Sequence, residues 1–297
     1  MKIAITGASG LIGRPLVLLL RHQGHDVVRF VRGDRPQLAA DELPWDPTQH
    51  RLDPNHLTDV DAVIHLAGAG VADHRWTTAY KKQVLDSRVQ GTTTVALALA
   101  AVAGPPRVLL SASGIGCYGN TGDRLIDEKS PLGQGFLADV CRAWEGATRP
   151  AEQAGVRVAH LRTGIVLSAD GGALGKQLPI FKAGLGAPLG SGRQWLSWIS
   201  LHDELAAISH LLTAEVHGPV TLVAPAPVTN REFTKTLGKA LRRPTLPVPV
   251  PGFVLRAAVG EFVGELLGGQ RLVPKALQDS GFAFTHPSLE SALRASL

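Results

Sequence analysis

In the stretch SASGIGCYG (111–119), two serines and a tyrosine follow directly on the apolar run RVLL. A serine hydroxyl at a strand end can orient a ligand oxygen, and a phenol can exchange a proton with it, an effect typically worth about 10²–10⁴-fold. Ser113 is the best placed, with Ser111 earlier. Tyr118 sits on a glycine-rich turn, from which its hydroxyl either reaches a reacting group or serves packing. A free tyrosine titrates near about 10, so a phenol needs a neighbouring cation to work at neutral pH. Arg75 with Trp76, Lys176, Lys182, and Arg193 with Gln194 and Trp195 form a second set. Two or three cations beside an indole suit an anionic or aromatic small molecule; equally, Trp195 and Trp198 can pin a long loop to the core. Cys117 and Cys141 are too few for a disulfide framework, and no CxxC or Cys/His ligand spacing is present. His202 and Asp203 read as a helix start, so no metal site is assigned.

The segment TGASGLIG (6–13) places Gly7, Gly10 and Gly13 directly after the apolar run KIAIT, with Ser9, Leu11 and Ile12 between them. Glycines at this spacing allow a tight turn, close backbone approach to a pyrophosphate and tight helix–strand packing, while the helix N-terminus attracts the phosphate. The GxxGxxG spacing resembles the short-chain dehydrogenase/reductase superfamily. At the end of the second strand an acid would favour NAD; DVVRFVRG (26–33) has none before Asp34 and ends on Arg32, with Arg35 a second cation. A guanidinium suits a 2′-phosphate, so the expected cofactor is NADP(H). HLAGAG (65–70) matches the superfamily's small-residue turn through Leu66, Ala67 and Gly68. In DSRVQGT (86–92), Arg88 stands where many extended members carry Asn; it faces either the cofactor or a surface partner.

Short apolar runs at 2–6, 26–31, 62–67, 107–112 and 156–162 alternate with helical patterns at 13–24 and 79–102. That alternation predicts βαβ units and an α/β fold, a doubly wound parallel Rossmann sheet with a smaller C-terminal substrate-binding domain. Residues 168–195 are glycine-rich with little periodicity and are expected to form a long ligand-side segment. A helix is expected over 198–212, a strand over 218–225, a helix over 228–244 capped by Thr229 or Asn230, and a Pro-rich linker with a helix over 247–269. The expected division is 1–165 for NADP binding, with 198–225 returning to it, and 166–197 plus 226–297 for substrate.

The superfamily places Tyr-x-x-x-Lys on the helix after the serine strand. Counting back from Glu145 in GQGFLADVCRAWE (133–145) gives Leu137 and Cys141 at those positions, and Phe136 is no acid either. Cys141 is either a small buried residue or a reactive thiol. With GAGVADHRWTTAYKKQVLDSR (68–88), the Gly-Arg-Gln-Trp and Gly-Phe-Ala-Phe segments and the C-terminal stretch, the chain resembles the atypical extended "epimerase family" of sugar-nucleotide-epimerase-like proteins over essentially its full length. The resemblance implies an NADP(H)-dependent oxidoreductase or epimerase with an atypical site, or a non-catalytic NADP(H)-binding sensor or scaffold. The net charge of +5 is scattered rather than striped, so no nucleic-acid partner is expected. No run approaches a membrane span and no secretory leader is recognised, which predicts a cytoplasmic monomer or homodimer.

Overall fold

The computed structural model describes residues 1–33 and 37–297; Arg35 lies outside them. The first half of the chain forms β1 (Lys2–Thr6), α1 (Gly13–His22), β2 (Asp26–Arg32), β3 (Glu42–Trp45), β4 (Ala62–His65), α2 (Thr78–Ala101), β5 (Val108–Gly114), β6 (Leu125–Ile126), α3 (Phe136–Gly146), α4 (Arg149–Gln153), β7 (Arg157–Thr163) and β8 (Ile165–Leu167). The second half adds α5 (Gly172–Lys182), β9 (Trp195–Leu196), β10 (Trp198–Ser200), α6 (Leu201–Leu211), β11 (Gly218–Leu222), β12 (Val228–Thr229), α7 (Asn230–Leu241), α8 (Gly252–Val259), α9 (Val263–Leu267), β13 (Arg271–Leu272), α10 (Lys275–Asp279) and α11 (Leu289–Ser296).

Seven strands form the main sheet in the order β11-β7-β5-β4-β1-β2-β3, with every neighbouring pair parallel. Parallel sheets bury both faces, which is why β1 and β4 are apolar almost throughout. One face packs Ile3, Ile5, Leu16 and Leu20 against Ile208 and Leu211 of α6. The other packs Val63 and Leu109 against Val95 and Leu99 of α2. The order reverses between β1 and β4, so a crevice opens beyond the carboxyl ends of these two strands, the place where such sheets take ligands.

A separate core joins Leu174, Leu178 and Phe181 of α5 to Trp198, Phe233 of α7 and Leu293 of α11. The segment expected as a long ligand-side loop, 168–195, is helical in its first half. Residues 172–182 are helical, because the buried residues Leu174, Leu178 and Phe181 recur at 4 and 3 residues, a helical face hidden in the sequence by flanking glycines and Pro179. The predicted helix at 198 begins only at Leu201, after β10 has paired with β8. Thr229 caps α7, in a reciprocal capping box with Glu232. The 247–269 segment folds as two α-helices, α8 and α9, joined by a 3₁₀ turn at Gly260–Phe262, and none of the three has a buried residue. Among the described residues, no helix is long and apolar enough to cross a membrane.

Candidate functional site

The glycine turn between β1 and α1 sits at the reversal point. Gly7 has φ +71, and a Cβ there would lie 2.8 Å from the Ala67 amide nitrogen and the Leu66 carbonyl carbon. A Cβ on Gly13 would lie 2.1 Å from the Gly7 carbonyl oxygen. Side chains are therefore excluded at both positions, and the turn lies against the loop that follows β4. Ser9 and Gly10 are exposed at its crest, while Leu11 and Ile12 are half-buried. Leu11 touches the 171–172 turn, which folds over the glycine loop from the second core. Thr6 Oγ1 accepts the amides of Leu66 and Ala67 at 3.2 and 3.3 Å and bonds His65 Nδ1 at 2.7 Å. Burial lowers the His65 pKa to about 4, so the ring is neutral; with both Thr6 acceptor sites used, the hydroxyl donates to Nδ1 and the proton sits on Nε2. This dyad holds the two ligand-side loops together.

Arg32 ends β2 with its side chain exposed, and it has no hydrogen bond or ion pair among the described residues. Arg14, in the first turn of α1, is equally free and exposed. Sequence reasoning passed over it, although a cation directly after Gly13 was the available signal. On the other side of the crevice Arg88 is 8% exposed and donates from Nη1 to the carbonyls of Ala69 at 2.7 Å and Val84 at 3.1 Å.

Ser113 and Tyr118 are drawn into a buried polar network. Ser113 Oγ donates to Glu145 Oε1 at 2.7 Å; Arg162 grips the same carboxylate through Nε and Nη2, each at 2.8 Å, and donates from Nη1 to the Tyr118 hydroxyl at 2.8 Å. Burial alone would raise the Glu145 carboxyl pKa and lower that of Arg162, but their mutual bonds reverse both shifts. Burial pushes the Tyr118 phenol up to about 12, against the lowering effect of Arg162, so at neutral pH it is a poor proton donor. Ser111 lies two residues deeper in β5, fully buried with its hydroxyl unpartnered, which leaves Ser113 as the serine at the strand end. Leu137 packs on Gly116, and Cys141 is buried with Sγ directed at the Gly114 carbonyl, its pKa raised by burial. Neither position supplies an acid.

The predicted substrate-side residues divide into groups. Arg75 donates to the Ala257 carbonyl at 2.6 Å, and Lys176 to that of Ala72 at 2.7 Å. The Trp76 ring centroid stands 4.9 Å from that of Phe136 and 5.3 Å from that of Phe262. Trp195 is elsewhere, bonded to Asp123 and covered by Arg271, while Lys182 and Arg193 are exposed. The cations thus do not converge on one point. A cavity of about 340 Å³ opens beside Tyr118, Asn120, Arg124, Ser130 and Gln134.

Two acids were missed by sequence reasoning. Glu204 is fully buried; Thr163 donates to its Oε1 at 2.9 Å, its Oε2 has no partner, and burial raises its pKa to about 8. Glu265, one helical turn after Phe262, has no partner among the described residues, and burial raises its pKa. No group of three His, Cys, Asp or Glu side chains among the described residues could hold a metal ion.

Residues 3–224 match the model of the NAD dependent epimerase/dehydratase family, and residues 250–296 match a domain of unknown function, DUF1731. The chain is 49% identical over 293 residues to the epimerase family protein Mb2239 of Mycobacterium bovis, covering 98% of this chain and 96% of that one. Human epimerase family protein SDR39U1, crystallised with NADPH, matches with a TM-score of 0.91 at 32% identity over 100% of this chain and 99% of that chain. A nucleoside-diphosphate sugar epimerase from Corynebacterium glutamicum matches with a TM-score of 0.82 at 33% identity over 100% of this chain and 58% of that chain.

Proposed function

Because this chain belongs to the NAD-dependent epimerase/dehydratase family, we propose that it binds NADP(H) in the crevice at the β1–β4 reversal and acts as an oxidoreductase or epimerase on a small molecule. The observation that carries this reading is the glycine cradle, in which a Cβ at Gly7 or Gly13 would collide with backbone. Backbone packed that closely presents the amides at the start of α1 to a pyrophosphate, where the helix dipole adds to their attraction. Arg32, with Arg14 beside the cradle, takes the 2′-phosphate through the planar donor fork of its guanidinium. Leu66, Ala67 and Gly68 form the floor opposite the glycine turn. The human relative crystallised with NADPH supports the same choice of dinucleotide.

Bound NADPH would supply a hydride at its nicotinamide ring. The chain's own contribution is positioning. Ser113, at the end of β5, gives its own proton to Glu145 and is left to accept from a substrate hydroxyl, and the aromatic group of Trp76, Phe136 and Phe262 shields the site from water. Lys176, Lys182, Arg193 and Trp195 border the approach from the 166–197 segment, which forms the substrate domain with 226–297, and Arg75 is added from the cofactor domain. A second reading, a non-catalytic NADP(H) sensor or scaffold, is favoured by Leu137, Cys141 and a Tyr118 phenol already engaged by Arg162. Loss of a general acid removes about 10²–10⁴ of an acceleration that commonly exceeds about 10⁶, so orientation alone leaves a slow enzyme rather than none.

Fluorescence titration with NADPH and NADH tests the cofactor reading. NADPH is expected to bind more tightly, and Arg32→Glu should lower that preference by about 10- to 100-fold, the equivalent of about 1.4–2.8 kcal/mol. Equal affinities in the unsubstituted protein would overturn the role given to Arg32. Hydride transfer to a panel of aldehydes and ketones then separates the two readings: oxidation of NADPH above the buffer rate supports the enzyme, and none supports the sensor.

A further inference from the structure

Arg88 is a buried cation without a counter-charge. It lies on α2 with 8% of its surface exposed, and among the described residues no carboxylate pairs with it. Its compensation is entirely neutral: Nη1 bonds the carbonyls of Ala69 and Val84, and the guanidinium lies 4.7 Å from the ring centroid of Trp144. Among the described residues the donors on Nε and Nη2 have no partner. Removing an ionised group from water without an opposite charge costs several kcal/mol, so a fold that keeps one buried retains it at a cost to stability.

The location says what would offset that cost. The glycine turn after β1 marks the centre of the crevice; Arg32, after β2, marks its adenosine end. A dinucleotide laid across the turn therefore sends its other half toward β4 and β5. Arg88 lies at that end. It packs under the turn following β4, where a Cβ on Gly68 would come to 3.5 Å from the guanidinium carbon, so Gly68 leaves that face uncovered. On its other side is α3, through Trp144. Cys141 stands one turn earlier on the same helix, near enough for the Arg88 charge to act on its thiol. Cys141 is the position at which Tyr-x-x-x-Lys members carry their lysine.

We infer that Arg88 supplies from α2 the positive charge that α3 lacks at Cys141, and that its free Nε and Nη2 donors hold the ribose and adjoining phosphate on the nicotinamide side of NADPH. This rests on the NADP(H) reading above. The charge is displaced from one helix to its neighbour while the corner of the crevice it serves stays the same, and Gly68 is small because the ligand must reach the guanidinium over it.

The test compares two probes on the full chain: NADPH, and 2′,5′-ADP, which occupies only the adenosine end. Arg88→Met should weaken NADPH about 10- to 100-fold, the loss of one or two charge-assisted hydrogen bonds, and leave 2′,5′-ADP unchanged. Arg88→Lys should recover most of the NADPH affinity. Thermal unfolding of each variant monitors the fold; if Arg88→Met does not fold, Arg88→Gln against Arg88→Lys makes the same comparison. Unchanged NADPH affinity in the neutral variant overturns the inference and leaves the cofactor reading intact. A parallel loss for both probes also overturns it, since that is the mark of a purely structural arginine. Folded unsubstituted protein that binds neither probe overturns both the inference and the cofactor reading.

Discussion

At the scale of single residues, the tight turn at Gly7 and Gly13 and the cation that ends β2 were legible because both are set by neighbours in the chain. Glu145 was visible only as a landmark for counting. In the structure it is a hub: it accepts from Ser113 and Arg162, 32 and 17 residues away, so that β5, α3 and β7 meet on one carboxylate. Nothing local to Glu145 announces those partners. Glu204 stands in the first turn of α6, where exposed acids are common, yet it is fully buried and its folded pKa of about 8 lies well above the ordinary 4.5. A carboxyl that holds its proton more tightly when folded contributes stability fully below the unfolded value. That contribution is lost as pH rises from about 4.5 to about 8. Glu204→Gln should therefore remove a stability slope of at most about 1.4 kcal/mol per pH unit across that window. Urea unfolding of both proteins at several pH values checks it: the variant is the more stable near pH 8, and the two curves converge toward acid. Parallel curves would show that Glu204 titrates normally.

At the scale of elements, the alternating apolar runs and helical patterns located the central strands to within a few residues, because a parallel sheet buries its strands whatever surrounds them. The failures cluster where context decides. Strand β3 reads ELPW and contains a proline, yet it pairs with β2 at the edge of the sheet, where a missing donor is tolerated. Helix α5 was hidden by glycines and Pro179, and it forms because Leu174, Leu178 and Phe181 gain a core against α7 and α11. The glycine turn gives the test at this scale. Gly13→Ala places a methyl 2.1 Å from the Gly7 carbonyl oxygen, which must displace either the turn or the start of α1. NADPH affinity should fall on the order of 100-fold, about 2.7 kcal/mol, with the far-ultraviolet circular dichroism retained. Gly146→Ala, in α3 with open space around the new methyl, is the control and should bind NADPH normally. Equal binding by both variants would remove the cradle from the cofactor site.

At the scale of the whole molecule, the C-terminal segment is fastened to the sheet domain through Asp203, fully buried, whose carboxylate accepts the amides of Thr285 and His286 at 3.0 and 2.9 Å. The sequence suggested only a helix cap for this position. Asp203→Ala leaves both amides unpaired and should cost roughly 3–6 kcal/mol, about 1.5–3 per lost bond to a charged acceptor. Hydrogen exchange should quicken over 282–297 while β1 and β4 keep their protection; a uniform rise along the chain would contradict a local fastening. The parallel α/β class, the glycine turn after β1, the arginine that ends β2 and the missing Tyr-x-x-x-Lys were readable from the sequence alone, since each is written in periodicity or in residues a few positions apart. Only the tertiary structure decided that Ser113 and Tyr118 are tied into a network with Glu145 and Arg162, that the basic residues scatter into separate groups, and that Arg88 is buried without a counter-charge. Those outcomes depend on which side chains meet across strands and helices far apart in the chain, and on how much water remains around a charge once they have met.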